Sequence, residues 1–87
     1  MRKNVSISLE DIDFMKRSDF LESDLVRKLD DADVKDGENR ILSIDKGTAE
    51  RFRSAFTEKL ALSGFDSDYG LNDEGRRLEN LIDKFFF

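Results

Sequence analysis

Ala49, Phe52, Phe56 and Leu60 recur at i, i+3, i+7 and i+11, with Ala55 beside them. Side chains at that spacing share one side of an α-helix, and burying them requires the helix to lie against other elements. The pattern returns twice. Leu21, Leu25, Val26 and Leu29 follow i, i+4, i+5 and i+8, and Leu78, Leu81, Ile82 and Phe85 form a third stripe. On the first stripe's helix the outward residues Glu50, Arg51, Arg53, Glu58 and Lys59 alternate in sign, which suits a solvated face. Three one-sided helices in 87 residues leave room for one core, so the chain reads as a single domain over residues 1–87.

Turn and cap residues divide the rest. Asn4 to Ser8, NVSIS, alternates polar and apolar with β-branched Val5 and Ile7, a half-buried strand over 4–8. Ser8 then caps a helix over 9–16, with Asp11 three residues on in a variant of the capping box and Leu9, Ile12 and Met15 inward. Ser18 and Asp19 cap a second helix over 20–31. The stretch DDADVKDGEN, 30–39, reads as a loop or tight turn around Gly37. RILSID, 40–45, returns to strand character. Thr48 or Asp45 opens the third helix, 48–63, which Gly64 stops by supplying a positive φ. Asn72 caps the last helix, 72–86, supported by an i, i+4 pair of Asp73 with Arg77. Ser6-Ile7 and Ser43-Ile44 each precede a helix, a shared supersecondary pattern rather than a repeat. Two strands alone are marginal in water, so the expected fold is α+β, a small two-stranded sheet with about four helices on one face.

Composition removes most chemistry. The chain has no Cys and no His, so disulfides, thiolate metal sites, the commonest metal ligand and the usual general base are all missing. No cofactor is expected and the chain reads as non-enzymatic. Asp11 with Asp13, or Asp30 with Asp31, are close in sequence, but acid-base work needs a cleft that shifts a pKa. Ser54 or Ser63 with Lys59 look like ordinary surface residues. No apolar run approaches the roughly 18 residues needed to span a bilayer, and polar NVSIS follows Arg2 and Lys3 where a signal peptide would be apolar. The expectation is a cytoplasmic protein with no membrane partner.

GFDSDYGLNDEG, residues 64–75, sets Asp66, Asp68, Asn72 and Glu74 among three glycines. A calcium loop of the EF-hand type needs glycine at position 6 and a bidentate Glu at 12. Counting from Asp66 gives Leu71 and Arg77 at those places; counting from Asp68 gives Asp73 and Glu79, with Gly70 at position 3. Both registers fail, and the stretch reads as a helix connector whose Phe65, Tyr69 and Leu71 dip into the core. Gly75 is the exception, since inside a first helical turn it costs roughly 1 kcal/mol against Ala.

The tail from Gly64, GFDSDYGLNDEGRRLENLIDKFF, resembles the closing segment of an uncharacterised family of small bacterial proteins. Their ends run GFD, two residues, Tyr, a few residues, EG, two residues, LE, one residue, LID. The resemblance covers about the last 25 residues. It implies a small intracellular bacterial domain and transfers no activity and no site.

The charge of -5 is uneven: residues 10–38 carry eleven acids against five bases, residues 39–87 nine against eight. An acidic first half repels phosphate backbones and steers basic proteins inward. The expected function is protein-protein interaction through Asp30, Asp31, Asp33 and Asp36, with a terminal aromatic patch of Phe86 and Phe87 for a partner or a homodimer. One specific form is an immunity or antitoxin-like protein that masks a basic enzyme by mimicking its polyanionic substrate. The alternative is a nucleic-acid-associated regulator using Arg51, Arg53, Lys59, Arg76 and Arg77, should the last two helices align them as one basic face.

Overall fold

One serine ends the first strand and starts the first helix. Ser8 Oγ accepts from the Asp11 amide at 3.1 Å while Asp11 Oδ2 accepts from the Ser8 amide at 3.2 Å, a reciprocal capping box. The computed structural model, which describes residues 2–64 and 70–86, runs in chain order as follows. β1 (Arg2–Ser8) leads into α1 (Leu9–Arg17) and α2 (Ser23–Asp30). β2 (Asp33–Asp36) and β3 (Asn39–Asp45) follow, then α3 (Lys46–Ser63) and α4 (Asp73–Lys84). The fold is α+β.

The sheet has three antiparallel strands in the order β1-β3-β2, one more than the two expected. The segment expected to be a loop is a hairpin arm. Gly37, at φ +39, takes the first place of a two-residue loop that pairs Asp36 with Asn39. β2 carries no period-2 alternation of its own; β3 supplies its hydrogen-bond partner, and a bulge between Val34 and Asp36 ends the regular ladder. Val5 and Ile7 of β1 with Leu42 and Ile44 of β3 are buried, whereas Asn4, Ser6 and Ser43 stay exposed, so the helices cover one face.

Beneath that face lies a core of Ile12, Met15, Leu25, Leu29, Ala49, Phe52, Phe56, Leu78, Leu81 and Phe85. Phenylalanines run through it. Phe85 meets Phe52 at 4.8 Å and Phe56 at 5.2 Å between ring centroids, and Phe20 meets Phe56 edge-on at 6.0 Å. Such pairs each add about 0.5–1.5 kcal/mol beyond burial.

α2 begins at Ser23 rather than at residue 20. Ser18 is the C-cap of α1, and Asp19 adopts φ +50, turning the chain so that Leu21 is buried and Phe20 packs against the core. The turn at Asp19 and the bend at Leu21 let both side chains reach the core without a helical start. α3 starts at Lys46, capped by Asp45, whose Oδ1 accepts from the Thr48 amide at 2.7 Å.

The junction between α3 and α4 explains Gly75. Gly64 has φ -84, so it supplies no positive φ; its role is closeness. A Cβ on Gly75 would lie 2.1 Å from the Gly64 carbonyl oxygen, and one on Gly64 would lie 2.3 Å from Leu60 Cδ1. Asn72 ties the two ends together. Its amide donates to Gly64 O at 3.1 Å, its Nδ2 donates to Ser63 O at 3.0 Å, and its Oδ1 accepts from the Gly75 amide at 2.7 Å. One side chain thus satisfies an orphan carbonyl of α3 and an orphan amide of α4. Asp73 pairs with Arg76 at 3.7 Å, not with Arg77, which is drawn to α1. Asp66, Asp68, Phe65 and Tyr69 lie outside the described residues.

Gly75→Ala tests this junction, because propensity alone would stabilise α4 by roughly 1 kcal/mol. The expected outcome in urea unfolding is a loss of about 2 kcal/mol, since the new methyl meets backbone that cannot yield. Equal or higher stability would show that the junction does not depend on the close approach.

Candidate functional site

The four first-half aspartates named from sequence come together around the end of α2 and the hairpin. Asp30 closes α2, Asp31 is its C-cap, and Asp33 and Asp36 begin and end β2. Asp30 pairs with Lys16 of α1, and Asp36 accepts from Asn39 Nδ2 at 2.8 Å. Asp31 and Asp33 meet no cation among the described residues. Between them and Asp36 stands Val34, 69% exposed. Past Asp33, where β2 begins, Arg2 reaches across to β3 and donates to Ser43 O at 2.7 Å. β2 is short, bulged and charged, and those three traits keep an open edge from pairing with a like copy.

The terminal phenylalanines divide. Phe85 is fully buried, Phe86 is 60% exposed, and Phe87 lies outside the described residues. Phe86 is held in place. The Arg53 guanidinium lies 5.0 Å from its ring centroid, and Lys3 Nζ donates to its carbonyl.

The five cations of the alternative face point to different neighbours. Arg51 crosses to α2, donating to Asp24 Oδ2 at 2.7 Å and to Glu22 Oε2 at 2.6 Å. Its hydrogen bond holds the Asp24 carboxyl below the usual value, and the same contact raises the pKa of Arg51. Arg53 stands about 200° around α3 from Arg51, over Phe86 and 4.0 Å from Glu50. Lys59 sits 3.6 Å from Glu74 of α4, and Arg76 pairs within its own helix. Arg77 reaches α1, at 3.1 Å from Asp11 and 3.8 Å from Glu10. Each cation faces a carboxylate, and they form no single basic face.

Asp11 is the residue that spacing left half-described. Its carboxylate, 9% exposed, accepts from Arg77 Nη1 at 3.1 Å and from Lys84 Nζ at 2.9 Å besides the Ser8 amide. Strand, first helix and last helix thus meet on one carboxylate. Desolvation, the largest single effect, pushes its pKa up; the bonds from Lys84 and Ser8 together outweigh it and hold it below 3.8. The partners lie 66 and 73 residues away in sequence, beyond any local signal.

Among the described residues no group of three or more His, Cys, Asp or Glu is placed to hold a metal ion, and no helix is long and apolar enough to cross a membrane. No protein-family model, curated protein or solved structure matches this chain.

Because folded Asp11 titrates below its unfolded value, its stabilisation is complete above that unfolded value and fades as pH falls through the lower folded one. Asp11→Asn is expected to lose about 2 kcal/mol near pH 7 and to converge on the wild type toward about pH 2, read by urea unfolding across that range. A gap that stays constant with pH would show that the carboxylate's charge contributes nothing.

Proposed function

We propose that this chain is a small, non-enzymatic bacterial protein of the cytoplasm that works by protein-protein contact, receiving a basic partner on the acidic edge. One observation supports this reading above the others. Asp31 and Asp33 are exposed and meet no cation among the described residues, beside exposed Val34, whereas all five cations of the competing face already meet carboxylates. An incoming Lys or Arg would relieve like-charge repulsion there without breaking an internal bond. Val34 offers the apolar contact that charge alone lacks. A protein of this kind could act as an immunity or antitoxin-like mask, its carboxylates standing where a basic enzyme's polyanion would lie. The missing His and Cys are consistent with a binding role, and Phe86 provides a second, aromatic contact point.

Titration with a lysine-rich peptide of about ten residues, followed by calorimetry at about 50 and 200 mM salt, checks the reading. The expected affinity falls several-fold with salt and is lost in Asp31→Asn/Asp33→Asn/Asp36→Asn, with Phe86→Ala leaving the salt dependence intact. Duplex DNA is expected to show no binding at the lower salt. A salt-dependent DNA isotherm would replace the proposal with the nucleic-acid reading.

A further inference from the structure

The two edges of the sheet are built differently. In the order β1-β3-β2 the outer strands are β1 and β2, and β2 is short, bulged and charged. β1 runs seven residues in regular register with β3, and from Asn4 to Ser8 it carries no charge, no proline and no bulge. Charges, prolines and bulges are what keep an edge from taking another strand, so the middle of β1 is unguarded.

The ladder identifies the groups that this edge offers. Leu9 N–H donates to Glu38 O at 2.8 Å, one step past the last strand pair, Ser8 with Asn39. Antiparallel partners exchange hydrogen bonds at every second pair, so Ile7, Val5 and Lys3 turn their main chain to β3 while Ser8, Ser6, Asn4 and Arg2 turn theirs outward. The Ser8 amide is taken by Asp11 Oδ2. The outward N–H and C=O groups of Arg2, Asn4 and Ser6 meet no partner among the described residues, and these residues are exposed. That free set is symmetric about Asn4.

We infer that β1 pairs antiparallel with β1 of a second copy of this chain, about a two-fold axis at Asn4. In this register Asn4 faces Asn4 and Arg2 faces Ser6 of the other copy, so every free group of one edge finds its complement on the other, about six hydrogen bonds in all. The two Asn4 side chains, each both donor and acceptor, stand side by side on the open face. Charge selects the same occupant. Residues 2–9 contain two cations and no carboxylate in a chain of net charge -5, so two copies meet here with the least repulsion between acids. Antiparallel pairing also runs the basic end of each strand toward the start of α1 in the other copy, where the Glu10 side chain is 76% exposed. The two Arg2 positions lie about 14 Å apart along the strands, beyond a Debye length of about 10 Å. Lys3, next to the axis, donates to the carbonyl of Phe86, whose 60% exposed ring adds apolar area to the ladder. The acidic β2 edges end about 24 Å apart, at the outside of one continuous sheet. They stay open, and either surface can fail without the other.

Sedimentation equilibrium of the full chain from about 5 to 500 µM at about 150 mM salt tests this, with an expected dimer dissociation constant below about 100 µM. Asn4→Pro removes an outward N–H and keeps the bonds to β3; it is expected to weaken the dimer at least about tenfold. Ser6→Lys sets a cation opposite Arg2 of the other copy and Ser6→Glu sets a carboxylate there, so the first is expected to weaken the dimer about threefold and the second to tighten it about threefold. Net charge alone predicts the reverse order, because Ser6→Lys brings the chain nearer neutrality. Should Asn4→Pro lower the melting temperature, the two variants of exposed Ser6 carry the comparison. Asp31→Asn/Asp33→Asn/Asp36→Asn is expected to change the dimer less than about twofold. Three results would overturn the inference: a chain monomeric to about 500 µM, which would leave the edge to an extended segment of another protein, a dimer tightened by Ser6→Lys and weakened by Ser6→Glu, or a dimer that the β2 variant dissociates.

Discussion

The docking of α4 on α3 is the constraint on which the rest of the molecule depends. At one end Gly75 lets the backbone of α4 reach the Gly64 carbonyl, with Asn72 bonded to both helices. At the other, Phe85 enters between Phe52 and Phe56. A helix fixed at both ends has one rotation available. That rotation puts Leu78 and Leu81 under the sheet and carries Arg77 and Lys84 to Asp11. The first and last helices are therefore joined through a carboxylate whose position was already set by the capping of α1.

Charge follows from the same arrangement. Arg77 and Lys84 hold α4 to α1, Lys59 holds α3 to Glu74 of α4, Arg51 holds α3 to α2, and Lys16 holds α1 to α2. The cations that bridge elements are thereby each set against a carboxylate, while Asp31 and Asp33 beside the hairpin meet no cation among the described residues. Pins of this kind are individually weak when exposed, but the Asp11 carboxylate is buried and accepts three hydrogen bonds, so removing one partner costs more than the pair contributes.

Much of this was legible in the residues. Ser8 with Asp11, Asp45 and Asn72 are caps in the structure because a side-chain oxygen one step before an apolar stripe has a local partner to satisfy. The stripes of α3 and α4 are buried where their spacing put them, apart from Ala55, Leu60 and Ile82, which pack at the margin. What was hidden was non-local. β2 contains three charged residues in four and forms a strand because β3 offers it a ladder. Ser18 and Asp19 have N-cap chemistry, but burying Leu21 and packing Phe20 from a turn and a bend won over an earlier helix start. Gly75 stood out as costly in sequence, and only the approach of Gly64 gives the reason. For the acidic surface, residue type marked the carboxylates, while which of them meet no cation among the described residues depended on where the cations went.

Amide shift mapping of the full chain, titrated in parallel with the lysine-rich peptide and with duplex DNA, tests the account of an acid-faced binding domain most directly. The account predicts peptide-dependent shifts concentrated on Asp30 to Asn39, with the DNA titration leaving the spectrum unchanged. Shifts centred on Arg53, Arg76 and Arg77 under DNA, with Asp30 to Asn39 unmoved by peptide, would contradict it.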